Sequence, residues 1–528
     1  MHISQTLAER LLHAAEAHSS RPAVWLDGKQ ISYQTLFAHA SGLVSCLHDR
    51  LAPDDRVGIL CQRSFPALVG VLAAVLSGRA YVPLNPGFPV YRQATILDAA
   101  KPAAIIYDRD TCERAHELRA HLMRPGILIG PEGGDPSGLR DERGGIARVS
   151  PLPNPVSSGD TTLYLMFTSG TTGTPKGVRV LDRNVGAYLD GIDDITRLTP
   201  DDRCSHLFDL SFDLSVHDLF ATWTAGANLF VLPKTRTMDA VTFVHDHQLT
   251  SWFSVPSTAA FASRLGQLTA GAAPSLRLSL FCGEPLPLRL ARDWAQTAPN
   301  SRLWNLYGPT EATIAFTAYE LSPNTDLDGL VTVPLGQPLA GQKVRVVRQD
   351  GCDAPAGEEG ELLLGGSQVT PGYINNPEAH TLRFFEELGE GTSTRWYRTG
   401  DLVAVSHAHG MVFRGRIDDQ VKVNGYRVEL LEIDEVLRKA AETQQVAALP
   451  WPASDIGPSD HIIAFICGSA LPPSEIRKNC RSSLPAYMVP RRVIAIDSMP
   501  VSASGKIDRH ALRRLVENET RQPALARG

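Results

Sequence analysis

Apolar positions recur at helical spacing through residues 5–18 and again through 35–49. Between them, Pro22-Ala23-Val24-Trp25-Leu26 reads as a strand and Asp27-Gly28-Lys29 as a turn. Val57-Gly58-Ile59-Leu60-Cys61 is a continuous apolar run of the kind buried on both faces. A helix rich in Ala, Leu and Val follows to about Ser77, and Ala80-Tyr81-Val82-Pro83-Leu84 is a strand again. This strand–helix–strand order predicts parallel sheets with helices on their faces.

The stretch from Gly130 to Ser158 is rich in Gly, Pro and Ser and reads as a surface connection. The apolar strand Leu163-Tyr164-Leu165-Met166-Phe167 then runs into a glycine-rich loop, and a second alternating region continues to about Phe316. From Val333 to Phe413 the pattern changes to short strands with Gly and Pro turns, as in a small barrel or sandwich. After Arg416 it shifts once more: a helix over 430–443 and short strands near 445–449 and 461–466 predict a small α/β domain. The expected fold class is α/β. A large N-terminal domain (1–416) holds parallel-rich sheets flanked by helices plus a small β-barrel, and a mobile small α/β domain (417–528) follows.

Composition narrows the class. A chain of 528 residues exceeds one ordinary hydrophobic core, and 43% apolar with 20% charged residues fits a soluble globular protein. A formal charge of -6 gives no electrostatic argument for nucleic acid. Eight cysteines are scattered without a CxxC pair, which argues against a zinc site or redox pair and for reduced thiols in a cytoplasm. The N-terminus lacks a signal-peptide core, and nowhere do 18 apolar residues run uninterrupted, so no membrane span is expected.

The loop Thr168-Ser169-Gly170-Thr171-Thr172-Gly173-Thr174-Pro175-Lys176-Gly177 carries the first chemical signal. Glycines let the backbone approach a ligand, hydroxyls and free amides can wrap phosphate oxygens, and Lys176 adds charge. A preceding strand is the right context. It is not the GxxxxGK[ST] pattern, because Gly177 follows the lysine; the plain alternative is a flexible surface turn.

Further motifs follow in order: Asn305-Leu306-Tyr307-Gly308-Pro309-Thr310-Glu311, Tyr397-Arg398-Thr399-Gly400-Asp401, Gly415-Arg416-Ile417-Asp418, and Pro500-Val501-Ser502-Ala503-Ser504-Gly505-Lys506-Ile507-Asp508. The ordered set, spanning most of the chain, resembles the adenylate-forming superfamily of acyl-CoA synthetases, luciferases and peptide-synthetase adenylation domains. The resemblance implies ATP and Mg²⁺, with in-line attack of a carboxylate on the α-phosphorus and pyrophosphate leaving. Residues 168–177 then hold the leaving phosphates, among them Thr168, Ser169, Gly170, Thr171, Thr172, Gly173 and Lys176. Thr310 touches the α-phosphate and Glu311 holds Mg²⁺. Tyr307 stacks on adenine beside the Gly308 turn, Asn305 meets its amino group, and Gly283 and Glu284 form the opposite wall. Asp401 accepts from the ribose hydroxyls, with Arg416 as a second ribose or phosphate contact. Lys506 bridges the substrate carboxylate and the α-phosphate. Asp418 is the hinge about which the small domain swings, removing Lys506 and bringing Lys422-Val423-Asn424-Gly425 toward the site.

Phe212-Asp213-Leu214-Ser215-Val216-His217-Asp218 bears on which acid is activated. An ammonium group is costly to bury without a carboxylate partner. Asp213 matches the position that supplies one in amino-acid-activating members, and Asp218 is its internal rival. The carried-over pocket is Leu214, His217, Phe253, Leu280, Cys282, Leu306, Ile314 and Ala315, mostly apolar. It implies a small α-amino acid: alanine, D or L, with glycine, serine and cysteine behind. The wording around Asp213 and Cys282 is similar to stand-alone D-alanine–carrier protein ligases. The expected acceptor is a separate phosphopantetheinylated carrier protein, through its thiol or the amino group of an aminoacyl carrier, as in natural-product biosynthesis. Leu364-Gly365-Gly366-Ser367 reads as a turn rather than a carrier's attachment site. The alternatives are an acyl-CoA synthetase for a small carboxylic acid, a serine- or glycine-specific enzyme, or a scaffold that kept the fold.

Overall fold

The sequence Asp27-Gly28 sets the first hairpin. Both residues have positive φ (48° and 81°), and they join the antiparallel strands Pro22–Leu26 and Lys29–Ser32. In the computed structural model the described residues are 5–123, 126–132, 135–141, 143–146, 158–170, 175–233, 236, 239–322, 325–327, 329–388, 393–452, 459–501 and 507–525. The chain divides into two compact units. One comprises Met1–Pro86, Ile96–Phe167 and Lys176–Ile417; the other comprises Gly87–Thr95, Thr168–Pro175 and Asp418–Gly528.

Among its described residues the first unit contains two nine-stranded sheets. In one, the strands Pro22–Leu26, Asn228–Val231, Arg203–His206, Ser251–Ser254, Leu278–Phe281 and Arg302–Tyr307 run parallel, and antiparallel strands close both edges. The other is parallel through Thr162–Thr168, Tyr81–Pro83, Val57–Leu60, Ala104–Tyr107 and Ile127–Glu132. This is the expected α/β class, with large sheets flanked by helices. Helix Phe65–Leu76 has no charged residue, and all of its positions are buried. A Cβ added at its Gly70 would lie 3.1 Å from both Ile59 and Ile106 of the sheet, so glycine permits the close seating.

One expectation fails. The Gly130–Ser158 stretch is not simply a surface connection, because strands Ile127–Glu132, Asp135–Asp141 and Gly144–Ile146 extend the second sheet. Leu128, Ile129 and Leu139 are buried there, and Asp141 is ion-paired with Arg50 and accepts from Cys46 Sγ. Its Gly130 sits where a Cβ would strike the Tyr107 ring. Residues 147–157 lie outside the described residues.

Lys343–Val347, Glu359–Gly365, Phe384–Leu388, Ser393–Ser406 and Gly410–Arg416 form an antiparallel sheet whose buried face packs on Tyr307 and Phe316. The Leu364-Gly365-Gly366-Ser367 segment ends a strand and turns at Gly366 (φ 131°), with Gln342 Nε2 donating to Ser367 Oγ at 3.1 Å.

In the second unit, Asn424 and Gly425, both at positive φ, turn the hairpin Gln420–Val423/Tyr426–Glu429. Helix Leu430–Ala441 and the sheet Val446–Trp451, His461–Ile466, Arg492–Ala495 share a core of Leu430, Ile433, Leu437, Val446 and Ile462. Among the described residues no helix is long and apolar enough to cross a membrane.

Candidate active site

Several expected site residues of the first unit lie at or just beyond the C-terminal ends of its parallel strands, where open α/β sheets place ligands. Phe253 pairs with Leu280, Leu280 with Trp304, and Phe281 with Asn305 across three neighbouring strands. Cys282, Gly283, Gly308 and the segment around Ile314 follow directly from these strands. Cys282 N donates to Ser254 O at 3.2 Å. Gly283 has φ 92°, and an added Cβ would crowd Val255 at 3.1 Å. Glu284 is buried, and its Oε2 accepts from Ser257 N at 2.8 Å, in the first turn of helix Pro256–Arg264. Glu284 therefore anchors a helix end.

The loop after Tyr307 folds back on itself. Phe316 N donates to Tyr307 O at 2.7 Å, and a Cβ on Gly308 would lie 2.7 Å from Ala315 Cα, so no larger residue fits. Thr313 and Ile314 both have positive φ (59° and 70°), which is strained for β-branched residues. The buried Gln368 holds them. Its Nε2 donates to Thr313 O at 3.2 Å and to Ala315 O at 2.7 Å, while Thr313 Oγ1 donates to Gln368 O at 2.7 Å. Ile314, Ala315, Leu306, Leu280, Leu214 and Cys282 are all buried, as an apolar pocket requires.

Asp213 stands at the N-cap of helix Leu214–Thr224, 6% exposed, and its side chain makes no cap bond to that helix. Burial, and then the Asp213 charge, raise the hydroxyls of Tyr81 and Tyr164, so two other chain segments lie within reach of this carboxylate's charge. The helix N-terminus favours a negative charge there by about 0.3–1 kcal/mol. His217, one turn on, shares its face with Asp213. Burial depresses His217 to about 3, and Tyr188 Oη lies 2.7 Å from its Nδ1. Asp218 has its own partner, His206, whose Nδ1 is 3.0 Å from Asp218 Oδ2. Burial and then Arg63 depress His206 to about 3, and burial holds Asp218 well above the carboxylate range. Burial disfavours charge on both members.

On the nucleotide side, Asn305 donates both amide hydrogens to Val333 O (3.2 Å) and Pro334 O (2.8 Å). Its Oδ1 is buried with no hydrogen-bond partner, which leaves an acceptor of the kind an exocyclic amine needs. Tyr307 Oη donates to Asp401 Oδ2, and Arg416 donates to Asp401 Oδ1. Both carboxylate oxygens keep lone pairs for further donors. Burial and Asp401 together raise the Tyr307 phenol. Thr310 begins a single helical turn, and Glu311 within it is fully buried. Tyr373 Oη donates to Glu311 Oε1 at 2.6 Å, and Lys176 Nζ lies 5.8 Å from the Tyr373 ring centre. Sequence reasoning missed Tyr188, Gln368 and Tyr373.

In the second unit, Ser169 Oγ donates to Arg427 O at 2.9 Å and Gly170 N donates to Glu432 Oε2 at 3.3 Å. Glu432 is also paired with the buried Arg92. Thr168 Oγ1 is buried without a hydrogen-bond partner. Asp418 Oδ1 accepts from Gln420 N at 3.3 Å. Thr171, Thr172, Gly173 and Lys506 lie outside the described residues.

The sequence profile described as AMP-binding enzyme matches residues 11–374, and the chain belongs to that adenylate-forming family, which uses ATP. It is 30% identical to the D-alanine–D-alanyl carrier protein ligase of Listeria welshimeri, over 97% of this chain and all of that protein. It is 33% identical to the AMB antimetabolite synthetase AmbB of Pseudomonas aeruginosa over 96% of its length, yet spans only 39% of that relative. It spans 6% of malpinin synthetase from Mortierella alpina, at 30% identity. Among solved structures it is similar to the Vibrio cholerae adenylation domain AlmE in complex with glycyl-adenosine-5′-phosphate: TM-score 0.87, 31% identity, covering 97% of this chain and 98% of that one.

Proposed function

We propose that this protein activates a small, uncharged α-amino acid, alanine foremost, as its aminoacyl-AMP and passes it to a separate phosphopantetheinylated carrier protein. The observation that carries the reading is the buried Asp213 at the N-cap of helix Leu214–Thr224. A buried carboxylate there suits an ammonium group, and nothing in a fatty or aryl acid would use it. The likeness to a D-alanine ligase and to a glycyl-adenylate-binding domain supports a small side chain.

In this reading the amino-acid carboxylate oxygen attacks the α-phosphorus, the bond to the bridging oxygen breaks, and pyrophosphate leaves. Catalysis is then mostly positioning and charge stabilisation. Asn305 Oδ1 accepts from the adenine amino group, and the Tyr307 ring supports the base. The Asp401 carboxylate, steadied by Tyr307 and Arg416, accepts from the ribose hydroxyls. Thr310 meets the α-phosphate, and Lys506 joins the two reacting groups. Glu311 would hold Mg²⁺, which would supply charge neutralisation at the phosphates. Asp418, at the boundary of the second unit, is the hinge for a mobile C-terminal domain (417–528).

A pyrophosphate-exchange panel of D- and L-alanine, glycine, serine, β-alanine and small carboxylic acids tests the reading. Preference for a small α-amino acid is the expected result, and its enantiomer is read directly. Exchange driven by carboxylic acids alone would instead make the enzyme an acyl-CoA synthetase.

A further inference from the structure

Tyr188 lies on helix Asp182–Thr196, outside every segment so far assigned to amino-acid recognition. It is fully buried, and its hydroxyl meets His217 Nδ1 at 2.7 Å. The imidazole packs edge-on against Phe253 with centres 4.7 Å apart, and Phe253 packs edge-on against Phe208 at 5.3 Å. Four rings thus form one braced row. Burial keeps His217 neutral at physiological pH and raises the Tyr188 phenol, so the bond between them is uncharged. An uncharged wall offers no counter-ion to an acidic or basic side chain, whose burial would be costly. The hydrogen bond also removes the freedom the imidazole has about its terminal torsion, which is otherwise broad.

We propose that Tyr188 is a positioning residue for specificity: by fixing the His217 ring against Phe253 it sets the depth of the amino-acid pocket, so that a side chain no larger than a methyl group is accepted. The inference rests on the proposed amino-acid site, with His217 as one of its walls. It adds a residue from a different helix that acts through His217 rather than on the substrate. Within that wall, one additional methylene is worth about 1–3 kcal/mol of discrimination, or roughly 10- to 200-fold.

The test compares wild type, Tyr188→Phe, His217→Leu and the double variant on glycine, alanine, 2-aminobutyrate and valine by pyrophosphate exchange. In Tyr188→Phe the alanine-to-2-aminobutyrate ratio of kcat/KM falls about tenfold, through the amino-acid KM, while the KM for ATP stays within about twofold. His217→Leu lowers the same ratio, and the double variant lowers it no further than His217→Leu alone, because Tyr188 acts through that ring. An unchanged ratio in Tyr188→Phe overturns the proposal. So does an additive double variant, or a uniform loss over all four substrates together with a lower Tm. Should Tyr188→Phe not be recovered folded, Tyr188→Leu is measured on the same ratio, where a fall supports the proposal and no change overturns it. A wild type that prefers a larger amino acid defeats the small-substrate reading instead. The coupling of Tyr188 to His217 is then read on that acid and its homologue with one more methylene.

Discussion

Asp213 and Asp218 stand at the start and in the middle of one helix, and both are buried. Their surroundings differ. Asp218 is joined to His206 in an interior where burial disfavours charge on either. Asp213 sits at the positive end of the helix, and its charge reaches the hydroxyls of Tyr81 and Tyr164 from other segments. One aspartate is joined to a histidine in an interior that disfavours charge, while the other opens its helix. A buried carboxylate is therefore read with its surroundings and not from burial alone.

The largest effect that could break this contrast is at Asp213. Asp213→Ala is expected to lose on the order of a thousandfold in amino-acid kcat/KM, about 4 kcal/mol, in pyrophosphate exchange. Retained exchange would remove the ammonium role. Asp218→Ala should do the reverse. It leaves His206 without its carboxyl partner and opens a void, costing about 3 kcal/mol in denaturant unfolding while the amino-acid KM changes little. Asn305 extends the contrast to the nucleotide. Its amide hydrogens are used internally but its oxygen is not, so Asn305→Ala is expected to raise the KM for ATP about tenfold.

A separate test is in pH. His206 and His217 have folded values near 3 against an ordinary 6.5. The folded protein therefore binds fewer protons, and their contribution to stability is present above pH 6.5 and lost as pH falls toward about 3. Thermal melts should show a Tm falling across that window, more shallowly in His217→Leu. An equal slope in the variant would deny His217 its buried, neutral state.

The contrast also marks what the sequence could tell. Asn305, Tyr307, Gly308, Thr310 and Glu311 lie within one short segment, so they were legible together as a motif. The structure then joins the Tyr307 hydroxyl to Asp401, to which Arg416 also donates. Tyr188, Gln368 and Tyr373 act across gaps of 29, 55 and 62 residues, where no local spacing reports the contact. A buried tyrosine in an amphipathic helix reads as core until the partner of its hydroxyl is known. Periodicity located the strands Pro22–Leu26 and Val57–Leu60 because their apolar runs were bounded by turn signals. It failed over 127–146, where Gly and Pro outweighed the short run Ile127-Leu128-Ile129, and glycine was there to clear the Tyr107 ring.

The uncharged helix Phe65–Leu76 has a consequence for how the chain comes to be folded. Its Gly70 seats against Ile59, which precedes it, and Ile106, which is made only later. During synthesis the helix emerges before half of its cover exists. A fragment ending between Leu76 and Ala104 would present an apolar surface with no charge to keep copies apart, a setting for aggregation or chaperone capture.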